Sequence, residues 1–379
     1  MRIAVIYINA GKGHFIPSVA ICEALNKKGH VAKAFDGFKD VFNRADVAQV
    51  AEKWWRTMLH MPKVERPLEY LLDRIPYVSK KSYKIAQKTT DDFIKWIDDF
   101  KPDVILTTQY SCSYIFPQMV KDLNLPICSL VYSPDTYVTP LQTVNDNTYR
   151  YFIASDEGRD LLIKQGKVPP EKVLRCAFPL RSDCYYHEPF SKQKARAKLK
   201  LNDKFTVMIN LGGEGIASTA IVDELAKRGT DIQILIIGTL HDETRAHYEE
   251  LMKKYPGLNI TMPGYVTDMN LWLYACDMLV GKAGPNAMTE ALYCRRPYMV
   301  TSLLYMSSRV VAYFEKYKVG WYAPSIKKQV EIITECKENP NFLPEMEANF
   351  DNVPMIFGAD KLADQLIDVA NEYFENHKK

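Results

Sequence analysis

An α/β fold class with two doubly wound parallel-sheet domains is predicted by three observations. Short runs of β-branched and aromatic residues alternate with longer segments of helical periodicity, which is typical of βαβ units. The alternation occurs twice along the chain, once on each side of a polar, basic stretch at 179–200. A length of 379 residues is also sufficient for two such domains.

The apolar runs predict four strands in each half of the chain. The strands of the first half are expected at 3–8, 104–107, 127–132 and 152–154, and those of the second half at 206–210, 232–237, 260–262 and 278–280. Open parallel sheets bind ligands beyond the carboxyl ends of their strands. The loops that follow these strands are therefore the places to look for a functional site.

The domain boundary is expected in the basic stretch. We assign residues 1–185 to the first domain and 186–358 to the second. The last segment, 359–379, has apolar residues at helical spacing with Asp and Glu between them, which predicts an amphipathic helix; these residues are Leu362, Leu366, Ile367, Ala370, Tyr373 and Phe374. We expect this C-terminal helix to cross back to the first domain.

The overall composition is that of an ordinary globular chain. Lys and Arg total 49 against 46 Asp and Glu, for a net charge of +3, which argues against bulk nucleic-acid binding. The 8 cysteines form no C-x-x-C pair, so neither a disulfide framework nor a zinc site is indicated. No apolar run approaches membrane-spanning length and no signal peptide is recognised, which predicts a cytoplasmic protein.

The loop after the first strand, at 9–14, contains Gly11, Gly13 and His14. It is neither a Walker A loop nor a dinucleotide fingerprint, because the required Lys-Ser/Thr and third glycine are missing. A histidine at this position suits general-base catalysis, since an imidazole titrates near neutral pH. The alternative is a turn-forming loop with a solvated histidine, and the residues by themselves leave both interpretations open.

Two further loops have the composition of an anion site. Gly212, Gly213, Glu214 and Gly215 follow the first strand of the second half, and three glycines allow backbone amides to converge on a phosphate. The other loop, at 281–292, leads from a buried strand into a helix with Pro285 in its first turn. Free amides there suit phosphate, Lys282 adds positive charge, and Glu290 suits ribose hydroxyls. Together these features predict a nucleotide site.

These motifs resemble glycosyltransferase family 28. The resemblance rests on G-K-G-H at 11–14, G-G-E-G at 212–215, G-Y-V-T-D-M at 264–269 and G-K-A-G-P-N-A-M-T-E-A-L at 281–292. Within the family, the chain looks most like the monogalactosyldiacylglycerol synthases and the processive diacylglycerol glucosyltransferases. The resemblance implies the GT-B fold, in which two Rossmann-like domains face each other across a cleft. It also implies transfer from a nucleotide sugar with inversion at the anomeric carbon.

Residue roles follow from the resemblance by position. His14 would deprotonate the acceptor hydroxyl, with Asp135 as an alternative base or as a group that orients His14. Gly11, Gly13, Gln109 and Tyr110 would lie at the acceptor site. Donor contacts would come from the glycine loops, from backbone near the uracil and from the Pro285 helix; the residues are Gly212, Gly213, Glu214, Gly215, Gly238, Tyr265, Val266, Lys282, Ala283, Gly284, Pro285, Asn286, Ala287 and Glu290.

The sequence departs from the family pattern in two places. Met306 and Val310 stand where a Gln and an Asn usually contact the donor sugar, so the sequence does not identify the hexose. Gln109 and Tyr110 follow the strand after which a His-Pro is common. No Asp-x-Asp pair lies at a strand end, and the chemistry implied by the resemblance needs neither a metal nor a cofactor.

A basic and aromatic segment at 53–88 predicts contact with a membrane surface. It carries nine basic and three acidic residues, for a local net charge of +6. Aromatic and apolar residues interleave with the cations, as in interfacial elements on anionic lipid; Trp54, Trp55, Lys80, Lys81 and Lys84 are the residues selected. The alternative is that the aromatic side chains are core and the cations a solvated face.

The function predicted from all of these features is an inverting, metal-independent hexosyltransferase. It would move a sugar from a UDP-sugar to a diacylglycerol-type lipid while bound to the inner face of the membrane. Two alternatives stay open: the same fold acting on a soluble acceptor, and a module that binds UDP or lipid without catalysis. The sequence predicts no nucleic-acid partner and leaves the oligomeric state open.

Overall fold

The computed structural model describes residues 1–9, 12–75, 77–180, 190–212, 215 and 219–377. The chain divides into two compact units. Unit 1 comprises Met1–Ser182, Tyr305–Ser307 and Pro354–Lys379, and unit 2 comprises Asp183–Leu304 and Ser308–Val353. The predicted boundary between residues 185 and 186 lies outside the described residues.

Unit 1 is built on a parallel sheet. Within the described residues it has six strands, in the order β2-β1-β3-β4-β5-β6; they are β1 (Arg2–Tyr7), β2 (Val31–Asp36), β3 (Val104–Thr107), β4 (Cys128–Ser133), β5 (Arg150–Ile153) and β6 (Val173–Arg175). Because β1 lies between β2 and β3, the chain turns in opposite directions after β1 and after β3. This arrangement is a topological switch point, where a doubly wound sheet opens a crevice.

Helices cover this sheet and supply an aromatic core. They are α1 (Lys12–Lys27), α2 (Ala45–Leu59), α3 (Pro62–Arg74), α4 (Tyr77–Gln87), α5 (Thr90–Phe100), α6 (Tyr110–Asp122) and α7 (Asp156–Lys164). Phe93 and Trp96 of α5 pack with Phe35, Phe42 and Phe116, and all five side chains are buried. Asp91, Asp98 and Asp99 of α5 are exposed and Asp92 is half-buried.

Unit 2 contains a second parallel sheet. Its six strands in the described part of the chain follow the order β12-β11-β10-β7-β8-β9; they are β7 (Thr206–Gly212), β8 (Gln233–Gly238), β9 (Asn259–Gly264), β10 (Met278–Lys282), β11 (Tyr298–Ser302) and β12 (Gly320–Tyr322). The switch point of this sheet lies between β7 and β10. The two glycine-containing loops that predict a nucleotide site follow these two strands.

The helices of unit 2 and the C-terminal helix complete the fold. Unit 2 has α8 (Lys192–Lys198), α9 (Ala220–Lys227), α10 (Asp242–Lys254), α11 (Met269–Ala275), α12 (Pro285–Tyr293), α13 (Val310–Tyr317), α14 (Ile326–Glu338) and α15 (Phe342–Ala348). Helix α16 (Ala359–Asn376) belongs to unit 1, where Lys28, directly after α1, pairs with Asp364 at 2.6 Å and Arg150 pairs with Glu372 at 2.7 Å. The predicted return of this helix to the first domain is confirmed. Among the described residues, no helix is both long and apolar enough to cross a bilayer.

A cluster of charged residues lies at the end of the unit 2 sheet where β7 and β10 begin. The glycine loops lie at the opposite end of these strands. Asp277, directly before β10, accepts hydrogen bonds from Arg196 Nη2 at 2.6 Å, Lys192 Nζ at 2.6 Å and the Thr206 amide at 2.7 Å. It therefore joins α8 to β7 and β10. Arg196 also pairs with Asp203 at 2.5 Å, but that carboxylate is 70% exposed against 10% for Asp277.

The eight predicted strands are confirmed, with their ends shifted by up to two residues. The sequence failed to predict β2, β6, β11 and β12. Three of these are edge strands, and two are only three residues long. An edge strand buries less apolar surface than a central one, so its sequence carries a weaker apolar signal.

Candidate active site

The first candidate group lies at the switch point of unit 1. His14 is in the first turn of α1, directly after β1, and Thr108 directly follows β3. Since β1 and β3 are hydrogen-bonded neighbours, the two residues meet at the carboxyl edge of the sheet. His14 Nδ1 lies 2.8 Å from the carbonyl oxygen of Thr108.

This contact determines which ring nitrogen carries the proton. A carbonyl oxygen only accepts hydrogen bonds, so Nδ1 of His14 is the protonated nitrogen and Nε2 of the neutral ring has the lone pair. Nε2 lies 3.9 Å from Asp135 Oδ2, and the two side chains are only 14% and 12% exposed. That separation is too long for a direct hydrogen bond. A proton acceptor thus faces a carboxylate across a narrow gap.

The surroundings of this pair are acidic. Burial raises the pKa of the Asp135 carboxyl, His14 opposes the shift and Asp73 adds to it. Burial also raises the pKa of Tyr110, with further contributions from Glu69, Asp135 and Asp73. Asp135 and Tyr110 are therefore close to each other and to carboxylates of α3. Their roles at an acceptor site stay predictions.

The other predicted acceptor residues have more local roles. The side-chain oxygen of Gln109 accepts from the amides of Ser111 at 2.8 Å and Cys112 at 3.4 Å, which caps the N-terminus of α6. Gly13 is half-buried in the first turn of α1, and Gly11 lies outside the described residues. The side-chain oxygen of Gln109 therefore already accepts hydrogen bonds from α6.

Helix α3 carries three inward carboxylates that the charge count of the basic segment did not reveal. Glu65, Glu69 and Asp73 are spaced i, i+4, i+8 and so share one helix face. The amide of Tyr305 donates to Glu65 Oε2 at 2.9 Å and Oε1 at 3.2 Å. The Tyr305 hydroxyl donates to Asp73 Oδ2 at 2.9 Å, and Glu69 accepts from Trp54. The i, i+4, i+8 spacing of the three acidic residues is the sequence pattern that could have predicted this shared face.

The Glu65→Gln variant should remove a pH dependence of stability. Burial raises the pKa of Glu65 to about 7, although the Tyr305 amide opposes the shift. A carboxyl whose folded-state pKa lies above its unfolded value favours folding at low pH, and that contribution is lost as pH rises from about 4.5 to 7. Across this pH window we expect the titration of Glu65 to lower the wild-type free energy of unfolding by roughly 2 kcal/mol. The variant cannot titrate at this position, so its free energy of unfolding should not show that decrease.

Urea unfolding at pH 5 and pH 8, followed by tryptophan fluorescence, measures this difference. Glu171→Gln, which changes an exposed carboxyl of unit 1, is the matched control. Equal pH slopes for Glu65→Gln and the wild type would contradict the raised pKa.

The outer face of this region is apolar and basic. Large hydrophobic side chains with substantial exposure concentrate in α2, α3 and their flanks; they are Val50, Trp54, Met61, Val64, Tyr70, Leu71 and Ile75. Lys80, Lys81 and Lys84 of α4 are exposed as well, whereas Trp55 is half-buried. Of the five residues predicted to contact a membrane, Trp54 and the three lysines are therefore exposed. Trp55 is less exposed than Trp54.

In unit 2, the first predicted donor turn is shaped by close backbone approach. Gly212 ends β7 with φ +70° and Gly238 ends β8 with φ +117°. A Cβ on Gly238 would lie 2.7 Å from the Gly212 carbonyl oxygen, so only glycine fits there. Gly215 also has a positive φ, of 66°. Gly213 and Glu214 lie outside the described residues.

The second donor turn links β10 to α12. The Ala283 amide donates to the Ser302 carbonyl at 3.1 Å and the Gly284 amide to the Lys282 carbonyl at 2.8 Å, which sets the path of the turn. Pro285, Asn286 and Ala287 then form the first turn of α12 and are half-buried. An α-helix offers no intrahelical carbonyl to the amides of its first turn, and its dipole favours an anion there.

Tyr298 of β11 supports this turn and was not predicted from the sequence. Its hydroxyl donates to the Lys282 carbonyl. Burial raises the pKa of Tyr298, and Glu290 adds to the shift, so Glu290 lies near the base of the turn. Nothing in the sequence distinguished this tyrosine from other core aromatics.

The remaining donor residues are accessible. Glu290 is half-buried on α12. Tyr265 and Val266 follow Gly264, which has φ +77° at the end of β9, and the Tyr265 ring is exposed. These positions fit the proposed contacts, which remain predictions.

The two residues that depart from the family pattern are packed into the protein. Val310 is fully buried in α13. Met306 packs on Val138, Leu161 and Tyr305 of unit 1. The apolar side chains of Val310 and Met306 therefore pack against other apolar residues of the protein.

Within the described ranges, no group of three or more His, Cys, Asp or Glu side chains is arranged to hold a metal ion. Metal independence stays a prediction.

Comparisons with known proteins agree with the predicted resemblance. No family model matches the chain. The chain is similar to the processive diacylglycerol beta-glucosyltransferase of Staphylococcus carnosus, at 22% identity over 278 residues covering 70% of this chain and 67% of the relative. Among solved structures, MurG of Acinetobacter baumannii has a TM-score of 0.64 at 13% identity, covering 98% of this chain and 99% of that chain. HepE of Anabaena, in complex with UDP and glucose, has a TM-score of 0.57 at 13% identity and the same coverage. The predicted resemblance and the GT-B fold are confirmed.

Proposed function

We propose that this chain, a GT-B glycosyltransferase related to the diacylglycerol glucosyltransferases, transfers a hexose from a UDP-sugar to the hydroxyl of a diacylglycerol-type lipid. The observation that carries the proposal is the ring of His14, whose unprotonated Nε2 faces Asp135 Oδ2 at 3.9 Å. A hydroxyl at that gap, with its oxygen about 2.8 Å from Nε2, can donate its one hydrogen to the ring nitrogen. The pair therefore suits the binding and deprotonation of an alcohol.

The reaction follows from this arrangement. Nε2 of His14 takes the proton of the acceptor hydroxyl as its oxygen attacks the anomeric carbon. The bond from that carbon to the UDP oxygen breaks, UDP leaves with the bonding electrons, and attack from the opposite side inverts the configuration. Asp135 faces the imidazolium that forms and stabilises it. If Asp135 is instead the base, His14 must carry a proton on both ring nitrogens, so that Nε2 donates to the acceptor oxygen while Nδ1 keeps its hydrogen bond to the Thr108 carbonyl.

The donor is assigned to unit 2. The first turn of α12 offers backbone amides to the diphosphate, where charge grows as UDP departs. The glycine turns after β7 and β8 lie at neighbouring strand ends of the same sheet. Lys282 lies at the start of the same turn and adds positive charge. No metal ion or cofactor enters this mechanism. HepE, a similar structure, is known in complex with UDP and glucose, which supports a UDP-sugar donor here.

Glu290→Ala should weaken UDP binding. Loss of a carboxylate that accepts from the ribose hydroxyls leaves buried donors unpaired, at a cost of about 1 to 3 kcal/mol. Calorimetric titration with UDP measures the change. Glu315→Ala, an exposed carboxylate on α13, is the control. Equal affinity for Glu290→Ala and the wild type would remove the ribose role.

A lipid acceptor is supported by the names of the relatives and by the surface of α2 to α4. The Staphylococcus carnosus relative is named for diacylglycerol. Exposed apolar side chains on α2 and α3 lie close in sequence to the lysines of α4, a combination suited to the headgroup region of an anionic bilayer. We place the enzyme on the inner face of the cytoplasmic membrane as a peripheral protein.

Reversing Lys80, Lys81 and Lys84 to Glu should reduce membrane binding. Each near-surface cation contributes about 1 kcal/mol on anionic lipid, so replacing three of them by acids should abolish most flotation with anionic liposomes. Reversal of Lys227, Lys253 and Lys328, which are exposed residues of unit 2, is the matched control. Undiminished flotation of the α4 variant would favour a soluble acceptor.

The proposed function is tested by UDP release from a panel of UDP-sugars, with and without liposomes that carry diacylglycerol. We expect release with one donor, dependent on the lipid, and a product lipid heavier by one hexose. Transfer to water-soluble alcohols alone would point to a soluble acceptor. Thermal stabilisation by UDP without turnover on any acceptor would point to a binding module.

A further inference from the structure

We propose that Ser18 and Thr108 are positioning residues that fix the tautomer and the direction of the His14 ring. The inference rests on the proposed function, in which His14 is the base. Neither residue belongs to a motif of the sequence. Both side chains are fully buried, so neither contacts an acceptor directly.

The contacts form a closed cycle between α1 and the end of β3. The Ser18 hydroxyl donates to the His14 carbonyl at 2.8 Å, and the hydroxyl oxygens of Ser18 and Thr108 are 3.0 Å apart. The carbonyl of Thr108 accepts from Nδ1 of His14 at 2.8 Å. The histidine is therefore held at its main chain and at its ring by two neighbouring residues that also contact each other.

Counting hydrogens sets the direction of one bond. Two hydroxyl hydrogens serve three contacts, because the Thr108 hydroxyl also lies 3.1 Å from the Ile6 carbonyl. The Ser18 hydrogen is on the His14 carbonyl. The Thr108 hydrogen can go to the Ser18 oxygen or to the Ile6 carbonyl, which also accepts from the Thr108 amide and has two lone pairs. In both arrangements Ser18 keeps its bond to the His14 carbonyl, and each of the two hydroxyls has an acceptor.

The cycle gives the ring one stable orientation. Rotation of the imidazole by 180° would place a C–H group against the Thr108 carbonyl and leave that oxygen without its donor. Loss of the Ser18 hydroxyl would remove the link between the His14 carbonyl and the Thr108 side chain. The bond from Nδ1 to the Thr108 carbonyl would remain, but the ring would be held less firmly in line with Asp135. An error of about 1 Å in the position of a reacting group can cost up to roughly 100-fold in rate.

The same sheet provides a matched control pair. Ser113 of α6 donates to the Gln109 carbonyl, four residues earlier, at 3.0 Å, and lies 2.9 Å from the Thr107 hydroxyl. Ser113 is buried like Ser18, but no histidine completes its cycle. Ser113→Ala thus removes the same kind of contact without touching the His14 ring.

The first test is the tautomer of His14 in the protein without substrates. Nitrogen-15 NMR of histidine-labelled protein resolves the ring nitrogens, and His14→Ala identifies the signals among the 7 histidines. We expect the Nδ1–H form in the wild type and in Ser113→Ala, and a mixture of tautomers in Ser18→Ala and Thr108→Val. An Nε2–H ring in the wild type, or an unchanged tautomer in both variants, overturns the proposal.

The second test is kinetic. Ser18→Ala and Thr108→Val should lower kcat about tenfold with little change in the acceptor KM, Thr108→Ser should restore most of the activity, and Ser113→Ala should resemble the wild type. Equal losses in Ser18→Ala and Ser113→Ala would mean a purely structural role and overturn the proposal. If no variant or wild type transfers sugar but the tautomer shifts as expected, the proposed function fails while the positioning of the ring stands.

Discussion

His14→Ala should lower turnover by about 100-fold or more while leaving UDP affinity unchanged. The magnitude is that of a lost general base, and the separation of effects follows because His14 lies in unit 1 and the proposed UDP contacts lie in unit 2. Turnover is measured as UDP release in the presence of lipid, and affinity by calorimetry. A variant with wild-type turnover would exclude His14 from the mechanism.

His377→Ala is the matched control for this experiment. Its Nδ1 lies 2.8 Å from the carbonyl of Tyr373, the same contact that His14 makes with Thr108, but at the end of α16. Wild-type activity is expected. Asp135→Asn then separates the two possible bases, because a larger loss in that variant than in His14→Ala would assign the base to Asp135.

Asp277→Ala should destabilise unit 2 by about 3 to 5 kcal/mol, the usual consequence of removing one partner of a buried ion pair. Its loss leaves the buried Arg196 without its internal carboxylate and the Thr206 amide without an acceptor. Asp203→Ala removes the other, exposed partner of Arg196, and should cost no more than about 1 kcal/mol. Urea unfolding of both variants measures the difference.

The comparison of the two aspartates is informative because they share one arginine. If Asp277→Ala and Asp203→Ala lower the free energy of unfolding by similar amounts, burial does not determine how much each ion pair of Arg196 contributes to stability. A stable Asp277→Ala protein would show that the other contacts of α8, such as the hydrogen bond from Arg196 Nε to the Ala275 carbonyl, are enough to hold it to unit 2. Neither outcome would affect the donor assignment, since the cluster lies at the opposite edge of the sheet.

Much of the candidate site was predictable because glycines and strand ends leave local signals. Gly212 and Gly238 occupy backbone conformations with positive φ that other residues rarely adopt, so their presence in the sequence reports the turn directly. His14 was predictable because it directly follows a glycine-rich strand end. The same reasoning predicted an anion site at Pro285, which is the first residue of α12.

Other residues of the site leave no local signal. Thr108 and Ser18 are 90 residues apart and are buried hydroxyls that resemble many others in the sequence. Tyr298 resembles any core aromatic until β11 pairs with β10. Glu65 and Asp73 look like surface acids of a basic helix, because local sequence does not reveal that Tyr305, more than 200 residues later, covers them.

The sequence by itself therefore determined the fold class, the two repeated α/β halves and the loops that matter, because periodicity, glycine positions and helix-start residues act within a few neighbours along the chain. The tertiary structure alone decided which strands are adjacent, and with them the two switch points, the tautomer of His14, its separation from Asp135 and the burial of acids on α3. These features depend on groups that are distant in sequence and meet only when the sheets form, so no local pattern encodes them.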